Sequence, residues 1–118
     1  MTKIFKWMLL FVAAMSIVAC GSAEETASVD GQTVSELQGR DDVVLIDVRE
    51  QWEYDEAHIP NITLIPMAEV PNRLSEIPQD KTVIVTCRSG NRSGQVTDFL
   101  RDQGHDNVHN MEGGILAW

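Results

Sequence analysis

Three short apolar runs interrupt an otherwise polar chain. They cover Val43–Ile46, Ile62–Ile65 and Thr82–Thr86, and in each the apolar or β-branched residues follow one another without regular alternation. Continuous runs of this length are typical of strands that are buried on both faces of a sheet. A weaker run over 106–110 predicts one more short strand near the C-terminus.

Segments with helical signals lie between and after these runs, at residues 33–39, 50–58, 69–76 and 93–103. Thr33 and Glu36 form a capping-box pattern at the start of the first segment, and Gly39 ends it. The second segment is charged and aromatic, and it predicts either a short helix or a structured loop. Because strands and helices alternate, we expect an α/β domain with a mainly parallel sheet.

The first 19 residues have the composition of an export signal rather than of a folded domain. Lys3 and Lys6 give the start a positive charge, and an apolar run of 11 residues follows over 8–18. Such a run is short for a membrane span and typical of a signal peptide. Residues 20–32 are polar and predict a flexible tether, so the folded domain is expected over 33–118.

The end of the apolar run resembles the lipobox of bacterial lipoproteins. The residues are Ile17-Val18-Ala19-Cys20-Gly21, with small residues on both sides of the cysteine. The resemblance implies cleavage before Cys20, a lipid on that cysteine, and a domain anchored to a bacterial membrane on its periplasmic or extracytoplasmic side. Two alternatives stay open: ordinary secretion after cleavage at Ala23, and an uncleaved membrane anchor.

The negative charge of the chain argues against nucleic acids as partners. The net charge is −9 at pH 7, and loss of residues 1–19 removes two lysines and no acid, which makes it −11. An acidic protein of this size is repelled by a phosphate backbone, so we expect no nucleic-acid binding. The cysteine, histidine and acidic residues do not have the spacing of a zinc or calcium site, so we expect neither a metal nor another cofactor.

One loop, Cys87-Arg88-Ser89-Gly90-Asn91-Arg92-Ser93, concentrates the chemistry between the predicted strand 82–86 and the predicted helix 93–103. The start of a helix offers unpaired N–H groups and a partial positive charge, which favour an anion. A cysteine there tends to lose its proton, and the thiolate is the reactive form. With Cys20 lipidated, Cys87 has no disulfide partner. The sequence therefore predicts a reactive nucleophile at the carboxyl end of a parallel strand, where ligands bind. The alternative is a buried, inert thiol.

Five segments follow one another in order along the chain: Leu-Ile-Asp-Val-Arg-Glu at 45–50, Trp-Glu-Tyr at 52–54, His-Ile-Pro at 58–60, the loop at 87–93, and Met-Glu-Gly-Gly-Ile-Leu-Ala-Trp at 111–118. Together they resemble a single-domain rhodanese. Two positions depart from the family pattern: Ala57 precedes His58 where the family usually has glycine, and Asn61-Ile62 replaces the usual Gly-Ala. The resemblance implies a small, mainly parallel sheet with helices on both faces.

The resemblance also implies a sulfurtransferase. In that family the loop cysteine takes the outer sulfur of thiosulfate or a similar donor as a persulfide, and passes it to cyanide or a thiol. In this chain the persulfide would form on Cys87. The amides from Arg88 to Ser93 would donate hydrogen bonds to the anions, and Gly90 would allow the tight turn. Arg88 is expected to bind the donor's anionic group and Arg92 to brace the loop, but the sequence does not separate those two roles.

Three residues outside the loop are expected to support it. Asp47 and Arg49 are expected to form an ion pair near the ends of the strands. His58 is expected to make a hydrogen bond within its own loop rather than to act as a base.

Other functions agree less well with the loop. Phosphatases and arsenate reductases of this general fold have one residue more between cysteine and arginine than the four between Cys87 and Arg92. An alternative within the rhodanese family is a sulfur carrier, a sensor or a partner-binding module with little turnover. A disulfide-exchange role lacks a second, resolving cysteine.

Overall fold

The structure is a computed structural model, and it describes residues 27–118. Five strands form one sheet in which all neighbours are parallel. The strands are β1 (Ser28–Val29), β2 (Val43–Asp47), β3 (Thr63–Leu64), β4 (Thr82–Thr86) and β5 (Val108–Met111). Their order across the sheet is β1-β5-β4-β2-β3, which confirms the α/β class and the parallel sheet.

Helices connect the strands. The α-helices of the described chain are α1 (Gly31–Leu37), α2 (Gln51–Glu56) and α3 (Asn91–Asp102). The 3-10 helices are Met67–Asn72, Leu74–Glu76 and Gly114–Ala117. Of the two outcomes predicted for 50–58, the short helix is therefore the one observed.

Alternating side chains of the central strands build a core on each face of the sheet. In β4, Val83 and Val85 belong to one cluster of buried residues and Ile84 belongs to the other. α3 contributes Leu100 to the first cluster, and α1 contributes Val34 to the second. Helices thus cover both faces, as predicted, and this is why β2 and β4 are continuously apolar in sequence.

The register of β2 and β4 positions the site. The two strands pair residue for residue from Val43 and Thr82 at one end to Asp47 and Thr86 at the other. Both strands therefore end at the same edge of the sheet. Cys87 follows Thr86 directly, so the thiol and the Asp47 carboxylate start from neighbouring positions at the carboxyl edge.

Two helical segments differ from their predictions. α1 begins at Gly31 rather than at Thr33, because Asp30 is its N-cap: the Asp30 carboxylate accepts a hydrogen bond of 2.8 Å from the Thr33 N–H. The segment 69–76 lies in two short 3-10 helices rather than in one α-helix. Pro71 lies inside the first of them and has no N–H to donate, which opposes a continuous α-helix.

β1 was not predicted, because two residues are too short to show a periodic pattern. Ser28–Val29 pair in parallel with β5, and the Asn110 N–H donates to the Ala27 carbonyl over 2.7 Å. Residues 27–32, which were predicted to belong to a tether, therefore take part in the sheet and in the start of α1.

The predicted signal peptide over 1–19, the lipidated Cys20 and the first part of the tether lie outside the described residues. Within 27–118, the helices are too short and too polar to cross a membrane.

Candidate active site

The loop 87–93 turns from β4 into α3 at the carboxyl edge of the sheet. Gly90 is the N-cap of α3 and has a φ of 96°, in the left-handed region where a side chain is strained. α3 begins at Asn91, two residues before the predicted start at Ser93. The free N–H groups of the first helical turn therefore belong to the loop itself.

The Cys87 sulfur lies among donors from this loop. The Gly90 N–H donates to Sγ over 3.1 Å, and the Ser93 hydroxyl lies 3.3 Å from it. The Ser89 and Ser93 N–H groups also favour a negative charge on the sulfur. The cysteine is only 1% exposed and packs against apolar residues of one core. The burial of Cys87 would also fit the alternative of an inert thiol. The hydrogen-bond donors that converge on its sulfur instead favour a thiolate.

The hydrogen bonds to the sulfur lower the pKa of Cys87. Burial raises the pKa of the thiol, because a thiolate is poorly solvated away from water. The Ser93 hydroxyl and the N–H groups of Ser93, Gly90 and Ser89 stabilise the thiolate and outweigh burial. The pKa of Cys87 therefore lies below its ordinary value of 9.0.

Asn110 of β5 joins two of these donors. Its Oδ1 accepts a hydrogen bond of 2.6 Å from the Ser93 hydroxyl, and its Nδ2 donates to the Gly90 carbonyl over 3.2 Å. The hydroxyl has a single proton, so it donates either to Asn110 or to Cys87 at any moment. Asn110 thus holds both the hydroxyl oxygen and the Gly90 peptide in position against the sulfur.

Arg92 links the loop to α2. Its two terminal nitrogens donate to the Glu53 carboxylate over 2.8 and 2.9 Å. Glu53 also accepts a hydrogen bond of 2.9 Å from the Glu50 N–H, in the capping box that begins α2. The hydrogen bonds from Arg92, partly opposed by burial, lower the pKa of Glu53 to about 2. Arg92 is thereby fixed as a brace between the loop and this helix.

Asp47 and Arg49 form the expected ion pair. The Arg49 Nη2 lies 2.7 Å from the Asp47 Oδ2, and both side chains are buried. The same guanidinium donates to the carbonyls of Glu53 and Ala57 over 3.3 and 2.7 Å. The pair therefore ties the end of β2 to α2, the helix whose Glu53 binds Arg92. Such a buried pair fixes geometry more than it adds stability.

The other predicted residues lie at the margin of the site. Arg88 and Ser89 are exposed, and the Arg88 guanidinium makes no hydrogen bond or ion pair with the described part of the chain. The Asn91 side chain bonds within α3. The His58 Nδ1 donates to the Tyr54 carbonyl over 2.8 Å, and its ring stacks on that of Tyr54 at 3.8 Å between centroids. His58 thus makes the local hydrogen bond that was expected of it.

A cavity of about 250 Å³ opens beside the loop, between α2 and the C-terminal 3-10 helix. Trp52 and Glu56 line it on one side, Leu116 on the other, and Arg88 reaches it from the loop. The Leu116 N–H donates to the Arg88 carbonyl over 3.1 Å, so the wall and the loop are joined. Between residues 27 and 118, the histidine, cysteine and acidic side chains form no cluster that could hold a metal ion.

Comparison with known families agrees with this geometry. Residues 30–118 match the model of the rhodanese-like domain. The chain belongs to the rhodanese-like domain family. It is 42% identical over 91 residues to a sulfurtransferase of Allochromatium vinosum, a match that covers 76% of this chain and 85% of that protein.

Solved rhodanese structures have the same fold. A rhodanese-related protein from Thermoplasma volcanium superposes with a TM-score of 0.70 at 32% identity, over 77% of this chain and 88% of its own. A rhodanese-like domain protein from Staphylococcus aureus gives a TM-score of 0.71 at 31% identity, over 79% of this chain and 91% of its own.

The two departures from the rhodanese pattern have local explanations. Asn61, which replaces a glycine, has a φ of 64°, and asparagine is among the residues that tolerate the left-handed region. Ala57 is extended, with a φ of −165°, and it contributes its carbonyl to Arg49, a contact that needs no particular side chain. The backbone of the supporting loop therefore accommodates both residues.

Two residues of this rhodanese site, Glu53 and Asn110, were not predicted from the sequence. Glu53 is 39 positions from Arg92, and Asn110 is 17 positions from Ser93. A signal for Glu53 was present, since Glu50 and Glu53 have the spacing of a capping box and mark the start of α2. Asn110 has no comparable local signal.

Proposed function

We propose that this protein is a sulfurtransferase that holds sulfane sulfur on Cys87 as a persulfide. The donor is thiosulfate or a similar compound, and the acceptor is a thiol, or cyanide in an assay. The observation that supports this most directly is the convergence of the Gly90 N–H and the Ser93 hydroxyl on the Cys87 sulfur at the N-terminus of α3. The similar sulfurtransferase of A. vinosum points to the same activity.

The proposed reaction moves one sulfur atom in two steps. The Cys87 thiolate attacks the outer sulfur of thiosulfate, the S–S bond of the donor breaks, and its electron pair leaves with sulfite. A persulfide anion remains on Cys87. A thiolate or cyanide then attacks the outer sulfur of that persulfide, and the Cys87 thiolate leaves. Each bond that breaks is replaced by a new bond to sulfur, so no oxidant is consumed.

The two arginines have different roles in this proposal. Arg88 is exposed and unpaired, so we assign it to the sulfonate group of the donor. Arg92 is engaged by Glu53 through two hydrogen bonds, which supports a role as a brace of the loop. The N–H groups of Ser89, Gly90 and Ser93 would stabilise the persulfide anion as they stabilise the thiolate.

Replacing the nucleophile tests the proposal. In Cys87→Ser, formation of thiocyanate from thiosulfate and cyanide should stop, because an alcohol does not form the persulfide. The matched control is Cys20→Ser, which removes the other cysteine of the chain and should keep the activity. Full activity in Cys87→Ser would refute the proposal.

A sulfur carrier with little turnover is a second candidate, favoured by the 1% exposure of Cys87, which slows the access of free acceptors. Both functions predict that thiosulfate adds the mass of one sulfur atom to Cys87. With excess cyanide, the enzyme continues for many turnovers, whereas a carrier stops after about one equivalent of thiocyanate. Counting product per protein molecule separates them.

We further propose that the mature protein begins at Cys20 and is anchored to the bacterial membrane by lipid on that residue, with the domain on the periplasmic or extracytoplasmic side. The support is the positive start, the apolar run over 8–18 and the small residues around Cys20. The intact mass of the native protein tests this: a mass without residues 1–19 and with added lipid is expected. An unmodified chain that begins after Ala23 would instead support ordinary secretion.

A further inference from the structure

Two of the large exposed apolar side chains of this protein lie on the same cavity. Within the described residues, the large exposed apolar side chains are Trp52, Leu116 and Trp118, with exposed fractions of 61%, 68% and 46%. Trp52 and Leu116 line the cavity beside the loop, and Trp118 does not. Single exposed apolar residues are ordinary, but two on one cavity next to a reactive loop indicate a ligand with apolar surface.

The charges of the same cavity show which ionic group it accepts. Arg49 is neutralised by Asp47, and Glu53 by Arg92. Arg88 and Glu56 make no hydrogen bond or ion pair within 27–118. Arg88 is therefore the cation on this cavity that is free to bind a ligand, and it directly follows the nucleophile in sequence. Glu56 is an uncompensated anion on the same cavity, and it weakens the attraction for an anion.

We propose that this cavity is a subsite for the organic part of the sulfur donor, with the apolar group held between Trp52 and Leu116 and the anionic group held by Arg88. The proposal rests on the sulfurtransferase function proposed above and defines its substrate class. That class is an anionic organic compound with terminal sulfane sulfur, for which an aromatic thiosulfonate is the probe. Inorganic thiosulfate has no apolar surface and gains nothing from the two walls.

The sulfur transfer balances for such a donor. The Cys87 thiolate attacks the outer sulfur of the thiosulfonate, the bond between that sulfur and the sulfonyl sulfur breaks, and the electron pair leaves with a sulfinate. One anion enters and one anion leaves, and the persulfide formed is the same as with thiosulfate. The organic group changes only how the donor is held, so its effect belongs in KM and in kcat/KM.

The test compares two donors in the same enzyme. We measure kcat/KM for benzenethiosulfonate and for thiosulfate, with cyanide as the acceptor, in wild type, Trp52→Ala and Leu116→Ala. Each substitution should lower the value for benzenethiosulfonate by about tenfold, mainly through KM, and should leave the value for thiosulfate within about twofold of wild type. The matched control is Trp118→Ala, an exposed tryptophan outside the cavity, which should change neither value.

A charge substitution tests the same cavity independently. Glu56→Gln should lower KM for both donors by a similar factor, about two- to threefold, because it removes an anion that repels both. Trp52→Ala and Leu116→Ala should change the ratio of kcat/KM between the two donors, whereas Glu56→Gln should leave that ratio unchanged.

The outcomes separate this proposal from the function on which it rests. If thiosulfate is used and the donor ratio is unchanged in both Trp52→Ala and Leu116→Ala, the subsite is refuted and the sulfurtransferase stands. If wild type uses neither donor, both proposals are refuted. Circular dichroism of the variants should match wild type, since both side chains are exposed and their loss leaves no cavity in the core.

Discussion

Replacing Glu53 by glutamine tests the brace between α2 and the loop. Glutamine keeps the shape of the side chain but removes the charge, so Arg92 loses its bidentate partner. The pKa of Glu53 falls from an ordinary value of 4.5 to about 2 in the folded protein. At about 1.4 kcal/mol for each pKa unit, the pair contributes at most about 3–4 kcal/mol. The Arg92 side chain is 34% exposed, so water screens the pair and we expect about 1–2 kcal/mol.

The stability that Glu53 contributes depends on pH. A carboxyl group whose pKa is lowered by folding stabilises the folded state when it is ionised, so its contribution is complete above pH 4.5. The contribution declines as the pH falls from 4.5 towards 2, where the carboxylate becomes protonated in the folded state too. The difference in free energy of unfolding between wild type and Glu53→Gln should therefore be full at pH 7 and shrink below pH 4.5.

Urea unfolding at several pH values, followed by circular dichroism, measures this difference. The control is Glu76→Gln, which removes the partner of Arg73 in an exposed ion pair and should change stability little. A Glu53→Gln protein as stable as wild type at pH 7 would contradict the reasoning, and so would a stability difference that does not change between pH 7 and pH 3.

Three further predictions concern the loop. The lowered pKa of Cys87 predicts that its alkylation by iodoacetamide stays fast below pH 9.0 and slows only when the pH falls below the thiol pKa; a profile like that of a free cysteine would contradict this. Ser93→Ala removes the hydroxyl that can donate to the Cys87 sulfur, so it should raise the pKa of the Cys87 thiol and slow alkylation at neutral pH about fivefold, whereas Gln95→Ala on the exposed face of α3 should not. Gly114→Ala would place a Cβ 2.5 Å from the Cys87 carbonyl oxygen at a φ of 60°, and should destabilise the fold by about 2–4 kcal/mol in urea unfolding. The control is Gly39→Ala, because Gly39 has a φ of 88° but open space where the new methyl would lie. It should lose less stability than Gly114→Ala, since it carries the backbone strain without the clash. Equal losses of stability in the two variants would show that the clash contributes nothing.

Contacts between residues close in sequence were predictable for this protein. Asp47 and Arg49 are two positions apart at the end of a strand, and their ion pair needs little more than the strand itself. His58 and Tyr54 are four positions apart, and their hydrogen bond is equally local. In such cases the geometry of one element brings the two groups together.

Contacts between distant elements were not predictable. Arg92 was expected to brace the loop, but its partner Glu53 depends on where α2 lies relative to α3, and Ser93 meets Asn110 only because β5 lies next to β4 in the sheet. Several acids along this chain could have matched one arginine equally well, and only the strand order selects among them.

The amino-acid sequence was enough to predict the central strands, the position of the Cys87 loop and the family, because buried strands and a cysteine at a helix start leave patterns among neighbouring residues. The tertiary structure alone decided the pairing of β1, the partners of Arg92 and Ser93, and the cavity between α2 and the C-terminal 3-10 helix. Those features form between segments that lie far apart in the chain, and strand order and packing, rather than local pattern, set the distances between their side chains.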